Sequence, residues 1–216
     1  MRKKEKCSNE VIISGTVIKD FELDHYEVGV RYFICEIECR RRSGTMDIVK
    51  VMVSEKQVDT SYCWLGQEVE VYGEYHSFDE KKEEADIKVK MFVKAKEFHC
   101  TGEQKWHNEV ALLGYVCAKP KYREVKTKRV CTLILAVPRY GATDYIPCVF
   151  WEEDAVAAST LRKGEKINVY GRVQSRDYIK RSGNEVFDRT TSEVSVKGYM
   201  EVKNGSTNRK NGAGKL

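Results

Sequence analysis

Long hydrophobic runs are missing from this chain of 216 residues, and proline is scarce, with three in all. A helix that crosses a membrane needs about 20 consecutive apolar residues, and no such run occurs. The first eight residues are basic but are not followed by the apolar stretch of a secretory signal. We therefore expect a cytoplasmic protein with no membrane partner.

Cysteine and histidine are present, but not in the spacings that build sites. None of the eight cysteines forms a Cys-x-x-Cys pair, and most lie in strand-like apolar runs, where free cysteine packs well. The four histidines are scattered, and none lies beside a plausible nucleophile. The acidic run 152–154 suits a helix N-terminus. We therefore predict no enzyme activity, no catalytic residue, no cofactor and no bound metal.

Positive charge is concentrated in the second half of the chain. Residues 1–103 contain 17 Lys and Arg against 21 Asp and Glu, whereas residues 104–216 contain 21 against 12. The net charges are therefore −4 and +9. A chain divided in this way has one half that attracts polyanions such as nucleic acids and one half that does not.

The two halves repeat one another at offsets of 97 to 99 residues. Three pairs of segments match in the same order, namely 9–15 with 108–114, 47–53 with 144–150, and 66–73 with 164–171. A near-constant offset over this length indicates duplication of one unit. Because there are only two copies and each has the size of a domain, the repeat predicts a pair of domains and not a solenoid.

Each copy shows the alternating pattern of β-strands. Phe33, Cys35 and Ile37 fall on one face of a strand over 31–41, and residues 130–137 alternate in the same way. Glycines inside the first and fourth strands favour the bends that a small closed barrel needs. A capping-box pattern at 54–57 and an alanine-rich segment at 152–161 predict one short helix per copy, between the third and fourth strands.

This order of elements is that of the OB-fold. The sequence thus predicts an all-β chain of two tandem five-stranded OB-fold barrels, with one short helix in each unit. The predicted divisions are an N-terminal barrel over 1–100 with a degenerate binding face, a linker over 101–107, a C-terminal barrel over 108–203 and a disordered basic tail over 204–216.

Aromatic and basic residues intersperse along the second copy. Unpaired bases stack on aromatic rings, and the phosphates between them require cations. Any single aromatic could equally belong to the core, and Arg172 and Arg176 could form a solvated strand face. The cluster as a whole coincides with the positive half, and it predicts a DNA-binding surface formed by Arg139, Tyr140, Tyr145, Trp151, Arg172, Arg176, Tyr178, Lys180, Arg181 and Arg189.

Segments 108–114, 133–139, 144–151, 161–164, 169–178 and 191–196 resemble, in order, the motifs of the bacterial single-stranded DNA-binding protein (SSB) family. The resemblance implies that Tyr145, Trp151 and Tyr178 stack on bases. It also implies single-stranded DNA as the partner in replication, recombination and repair, association with the nucleoid, and replication or repair proteins as further partners. Because the family works with four barrels, it implies a homodimer of this two-barrel chain.

The first copy departs from the second at the binding face. Ile48 stands where the second copy has Tyr145, and Ser54 stands where it has Trp151. The loop 79–86 is acidic where its counterpart is basic, and the arginines at 40–42 are the one basic cluster kept in place. We therefore expect the N-terminal barrel to be a structural or partner-binding unit with weak DNA contact. The basic tail also lacks the acidic, hydrophobic-tipped end through which the family recruits enzymes.

Two other functions fit the same pattern. The barrels could serve mainly as protein-interaction modules of a primosome-like assembly, with nucleic-acid binding secondary, as the acidic first copy favours. RNA is another possible ligand, because OB surfaces accept either polymer. Salt-sensitive binding of oligonucleotides separates a nucleic-acid binder from an interaction module.

Overall fold

The computed structural model describes the backbone of residues 9–80, 88–182, 185–203 and 206–208, and the side chains of residues 9–78, 90–176 and 191–202. Within these residues the chain forms twelve strands and one helix. The elements are β1 (Asn9–Glu27), β2 (Val30–Arg40), β3 (Met46–Ser54), β4 (Glu68–Glu80), β5 (Lys88–Cys100), β6 (Asn108–Val116), β7 (Lys121–Val125), β8 (Lys128–Arg139), β9 (Ala142–Trp151), α1 (Glu152–Ala158), β10 (Lys166–Ser182), β11 (Glu185–Lys203) and β12 (Ser206–Asn208). No described helix is long and apolar enough to cross a membrane.

The chain divides into two compact units. The N-terminal unit comprises Glu10–Glu109 and Val173–Ser192, and the C-terminal unit comprises Met1–Asn9, Val110–Arg172 and Glu193–Leu216. The segment from Val173 groups with the first half because it is hydrogen-bonded there. The Asn108 amide exchanges two hydrogen bonds of 2.8 Å with the backbone of Val173, and the carboxylate of Asp47 accepts one of 2.9 Å from the Ser175 N–H.

In the N-terminal unit five strands close into a ring. β1 pairs antiparallel with both β2 and β4, β2 pairs with β3, and β4 pairs with β5. β3 and β5 pair in parallel and complete the ring. The alternation expected from the sequence fills its interior, where Ile13, Cys35, Ile37, Val51 and Val71 are fully buried. Burial raises the pKa of the Cys35 thiol to about 12, so this cysteine is a neutral core residue.

The C-terminal unit repeats this ring. β6 pairs with β8 and β10, β8 pairs with β9, β10 neighbours β11, and β9 pairs in parallel with β11. β7 adds to the outside of β8, and β12 adds to β11. The strand order of both rings is 1-2-3-5-4-1 in the numbering of each unit, which is the OB-fold order. The predicted fold class, with two five-stranded OB barrels, is confirmed.

The helix predicted in the first copy is wrong. Residues 55–66 form turns, although the Gln57 side chain does accept the Ser54 N–H (2.7 Å), as a capping box requires. The chain does not continue as a helix because Asp59 binds the backbone N–H of Ser61 (2.9 Å), which holds a turn. The Trp64 ring, packed edge-on against neighbouring aromatic rings, fixes the rest of the segment. In the second copy α1 forms and buries Ala155 and Ala158.

Two glycines at equivalent positions permit the closure of the rings. A Cβ atom at Gly73 would lie 2.2 Å from the carbonyl oxygen of Lys94, and one at Gly171 would lie 2.2 Å from that of Ser195. Both obstacles are backbone atoms of the neighbouring strand, so a side chain could be accommodated only by moving that strand.

We expect Gly171→Ala to lower the free energy of unfolding by about 1–3 kcal/mol, the usual cost of overpacking. Urea denaturation followed by circular dichroism measures this change. Thr143→Ala, at an exposed position of β9, is the control and should leave the midpoint nearly unchanged. Equal midpoints for Gly171→Ala and wild type would contradict the close approach of the two strands.

Candidate nucleic-acid interface

The outer face of β9 carries two of the predicted aromatic residues. Along this strand Ile146, Cys148 and Phe150 are fully buried inside the barrel. Tyr145 and Trp151 fall on the opposite face, where they are 52% and 37% exposed. Because they are six positions apart along the strand, their Cα atoms are about 20 Å apart. Together they define an elongated surface with an aromatic ring at each end.

The ring of Trp151 is fixed in place. Its indole Nε1–H donates a hydrogen bond of 3.1 Å to the hydroxyl of Ser195 on β11. The strand ends at Trp151, and α1 begins at the next residue. The hydrogen bond satisfies the polar edge of the indole inside the barrel wall and leaves part of the ring at the surface. A ring held in this way loses little freedom when a flat ligand stacks on it.

Apolar side chains lie next to Tyr145 on the same surface. Ala136 of β8 is its cross-strand partner, and Ile134 is the partner of Pro147. Ile134 is 40% exposed, so its side chain is accessible at this surface. The sequence does not reveal this apolar strip, because none of the three residues is aromatic or charged and only the strand register places them beside Tyr145.

Arg139 ends β8, and Tyr140 lies in the turn that leads to β9. Tyr140 is fully exposed next to Gly141, whose φ of +73° suits the tight turn. The Arg139 guanidinium lies 3.2 Å from the carboxylate of Asp144, which is fully buried. Burying a carboxylate is costly unless it is paired, so Arg139 has a structural function in addition to any contact with a ligand.

The remaining predicted residues lie elsewhere. Arg172 is half-buried on β10, and Arg176 is exposed but belongs to the N-terminal unit. Within the C-terminal unit the structure therefore places Arg139, Tyr140, Tyr145 and Trp151 on β9 or at the turn that precedes it. The side chains of Tyr178, Lys180, Arg181 and Arg189 lie outside the described residues, and their roles stay predictions.

A basic hairpin next to β8 was also missed. The β7–β8 hairpin and the residues just before it expose five cationic side chains, none of which forms an ion pair with a described residue, namely Lys119, Lys121, Arg123, Lys126 and Lys128. The signal was visible as Lys and Arg at nearly every second position over 119–128. Such a hairpin supplies the positive charge that a polyanion would need beside the aromatic face.

We expect Arg139→Gln to lower the free energy of unfolding by about 1–3 kcal/mol, because it leaves the buried Asp144 carboxylate without this cation. Tyr140→Ala, the neighbouring change at a fully exposed side chain, is the control and should be nearly neutral. Thermal unfolding of both variants provides the comparison. If Arg139→Gln is as stable as wild type, the ion pair is not structural.

An OB barrel with exposed aromatic residues on its third strand is a nucleic-acid-binding type of surface. Residues 107–204 match the model of the single-strand binding protein family. Single-stranded DNA-binding protein 3 of Listeria innocua is 33% identical over 108 residues, which cover 46% of this chain and 68% of that protein. The chain therefore belongs to the single-strand binding protein family, a family of binding proteins and not of enzymes.

Other relatives are similar over a comparable length of the chain. Single-stranded DNA-binding protein A of Bacillus subtilis is 35% identical over 107 residues, and the single-stranded DNA-binding protein of Enterococcus faecalis is 30% identical over 116. The matches cover 45% and 50% of this chain and 62% and 60% of those relatives' lengths. The crystal structure of the wild-type single-stranded DNA binding protein from Thermus aquaticus shares the fold, with a TM-score of 0.76 at 20% identity, over 95% of this chain and 98% of that one.

Proposed function

We propose that this protein binds single-stranded DNA without sequence preference and protects it during replication, recombination and repair. The observation that carries the proposal is the pair of exposed rings, Tyr145 and Trp151, on the outer face of a barrel strand. Stacking on an aromatic ring suits any base, because every base has a flat face. The names of the relatives, all single-stranded DNA-binding proteins, agree with this ligand.

In this mechanism the strand of DNA runs along β9. One base stacks on Tyr145 and another on Trp151, and the apolar strip of Ile134 and Pro147 contacts the sugars and bases between them. The phosphates lie toward solvent, where the cations of the β7–β8 hairpin attract them. Double-stranded DNA is excluded because its paired bases present no free face to the rings.

The protein would act as a homodimer, because two chains supply the four barrels with which the family works. Static light scattering at micromolar concentration should give a mass of about twice the 24.9 kDa of the chain. The mass of a single chain would contradict this part of the proposal but not DNA binding itself.

We expect Tyr145→Ala combined with Trp151→Ala to weaken binding of oligo(dT) by about 2–6 kcal/mol, since each stacked base contributes about 1–3 kcal/mol. Fluorescence anisotropy of a labelled oligonucleotide measures the loss. Tyr145→Phe with Trp151→Phe keeps two flat rings and should retain most of the affinity.

The matched control is Ile48→Ala, the position of the first copy equivalent to Tyr145, which should change affinity little. If Ile48→Ala weakens binding as much as the double variant, the aromatic face is not the binding surface. Circular dichroism of each variant shows whether the fold is kept.

The proposal as a whole is tested by titrating the protein into labelled oligo(dT) at low and high salt, with duplex DNA and RNA as competitors. We expect binding that weakens with salt, because phosphate contacts release counterions, and that duplex does not displace. Efficient competition by RNA would broaden the ligand to single strands of either polymer. Absence of binding at low salt would refute the proposal.

A second function, as a protein-interaction module, is favoured by the hairpin between β1 and β2. Leu23, Tyr26 and Val28 are largely exposed there, at 49%, 67% and 98%. Exposed apolar side chains at a hairpin tip are typical of protein contacts. The low-salt titration decides between the two functions, because a module of this kind would not bind oligo(dT) tightly.

A further inference from the structure

The turn between β2 and β3 in the N-terminal unit is a basic loop closed by two backbone hydrogen bonds. The Arg41 N–H donates to the Thr45 carbonyl (2.8 Å), and the Gly44 N–H donates to the Arg41 carbonyl (2.9 Å). The Arg41 side chain is held by the carboxylate of Asp47, which is fully buried, through an Nε–Oδ2 hydrogen bond of 2.6 Å. This pair corresponds to Arg139 and Asp144 in the other unit. The charge of Arg41 is therefore neutralised, and its role is to fix the loop.

The two neighbouring arginines differ from Arg41. Neither Arg40 nor Arg42 forms an ion pair with a described residue. The guanidinium carbon of Arg40 lies 5.4 Å from the centre of the Trp106 ring, which is the range of a cation–π contact. The three arginines, Ser43, Gly44 and Trp106 line an open groove of about 740 Å³. Two available cations thus lie beside an aromatic ring that is 49% exposed.

The segment that carries Trp106 is tied to the barrel on both sides. Before it, the Thr101 N–H donates to the Glu68 carbonyl (2.8 Å). After it, the N–H of His107 donates to the Ser14 hydroxyl (2.7 Å), and its ring bonds the carboxylate of Glu70 at 2.8 Å. The position of Trp106 in the groove is therefore set before any ligand arrives.

The Glu70 carboxylate is a charged anchor for this segment. Burial works to raise its pKa, but hydrogen bonds from His107, Lys105 and Tyr72 outweigh burial and lower the pKa. The carboxylate stays charged at neutral pH, and its stabilising effect is lost only as the pH falls through the lowered pKa. At the pH of a binding experiment the segment therefore keeps its anchor.

We propose that this groove is a second binding site for single-stranded nucleic acid, in which a base stacks on Trp106 and the adjoining phosphates contact Arg40 and Arg42. The groove offers the same kinds of group as the surface around β9. It has a flat ring that is partly exposed, beside cations that have no carboxylate partner among the described residues. The inference rests on the proposed function, and it assigns DNA contact to the barrel in which the sequence predicted only a weak one.

The first test measures the salt dependence of oligo(dT) binding by the full chain. Each phosphate contact to a single strand contributes about 0.7 to the slope of log K against log salt, so Arg40→Gln with Arg42→Gln should reduce the slope by about 1.4. Lys19→Gln with Lys56→Gln removes two charges from exposed positions of the same unit and is the matched control, with little change expected. An unchanged slope in the arginine variant overturns the inference.

The second test follows the Trp106 ring directly. In a Trp151→Phe background, addition of oligo(dT) should quench tryptophan fluorescence, and the quenching should largely disappear when Trp106→Phe is added. Trp106→Ala should weaken binding of an oligonucleotide of about 35 residues by roughly 5- to 150-fold, the range for one stacked base, and Trp106→Phe should restore most of it. If Trp106 has a purely structural role, its fluorescence should not change when oligo(dT) is added.

The outcomes separate this inference from the proposed function. If the wild-type chain binds no oligo(dT), both the proposed function and this second site are refuted. If wild type binds and Tyr145→Ala with Trp151→Ala weakens it, but the Arg40, Arg42 and Trp106 variants bind like wild type with full quenching, only the second site is refuted. If an acidic peptide binds the groove more tightly than oligo(dT) and reverses the quenching, the groove is a site for a protein partner. That result would also refute the second nucleic-acid site.

Discussion

The close crossing of strands at glycine is the constraint on which both barrels depend. Where β4 passes β5, and where β10 passes β11, a carbonyl oxygen occupies the space in which any other residue would place its Cβ atom. Without that approach five strands cannot close at this size, since a small barrel needs strongly bent and tilted strands. Closure then forces alternate residues of each strand outward. The exposure of Tyr145 and Trp151 is thus a consequence of the ring in which β9 is held.

A second constraint is a buried carboxylate paired with an arginine at the end of the second strand or in the turn that follows it. Asp47 with Arg41, and Asp144 with Arg139, repeat the same arrangement in the two units. The sequence repeat aligns the two aspartates, but the basic pattern around Arg139 predicts a DNA contact there. The sequence does not show that Asp144 is buried, so it cannot reveal the ion pair. An arginine in a basic cluster therefore resembles a ligand contact even when it also has a structural role.

The sequence predicted the strands and the ring order because period-2 alternation and interior glycines are local signals. It failed at residues 55–66, where the capping box formed locally, but Asp59 and the packing of Trp64 kept the chain in turns. The sequence does not reveal the apolar strip at Ile134 and Pro147, because the register between two strands cannot be read from the sequence of either strand alone. Local chemistry predicted elements well, whereas pairing between elements decided which side chains share a surface.

The two units show how one scaffold can carry different side chains at equivalent surface positions. The first barrel has Ile48 and Ser54 where the second has aromatic rings, so a position-by-position comparison of the copies finds no binding face. Trp106 has no counterpart in that comparison, because it lies in the segment between the repeats and meets Arg40 only through folding. Loops and connecting segments tolerate such changes because closure of the ring does not depend on them. Both copies therefore keep the barrel, whereas the exposed aromatic residues differ in position. They lie on a strand in the second unit and in the connecting segment in the first.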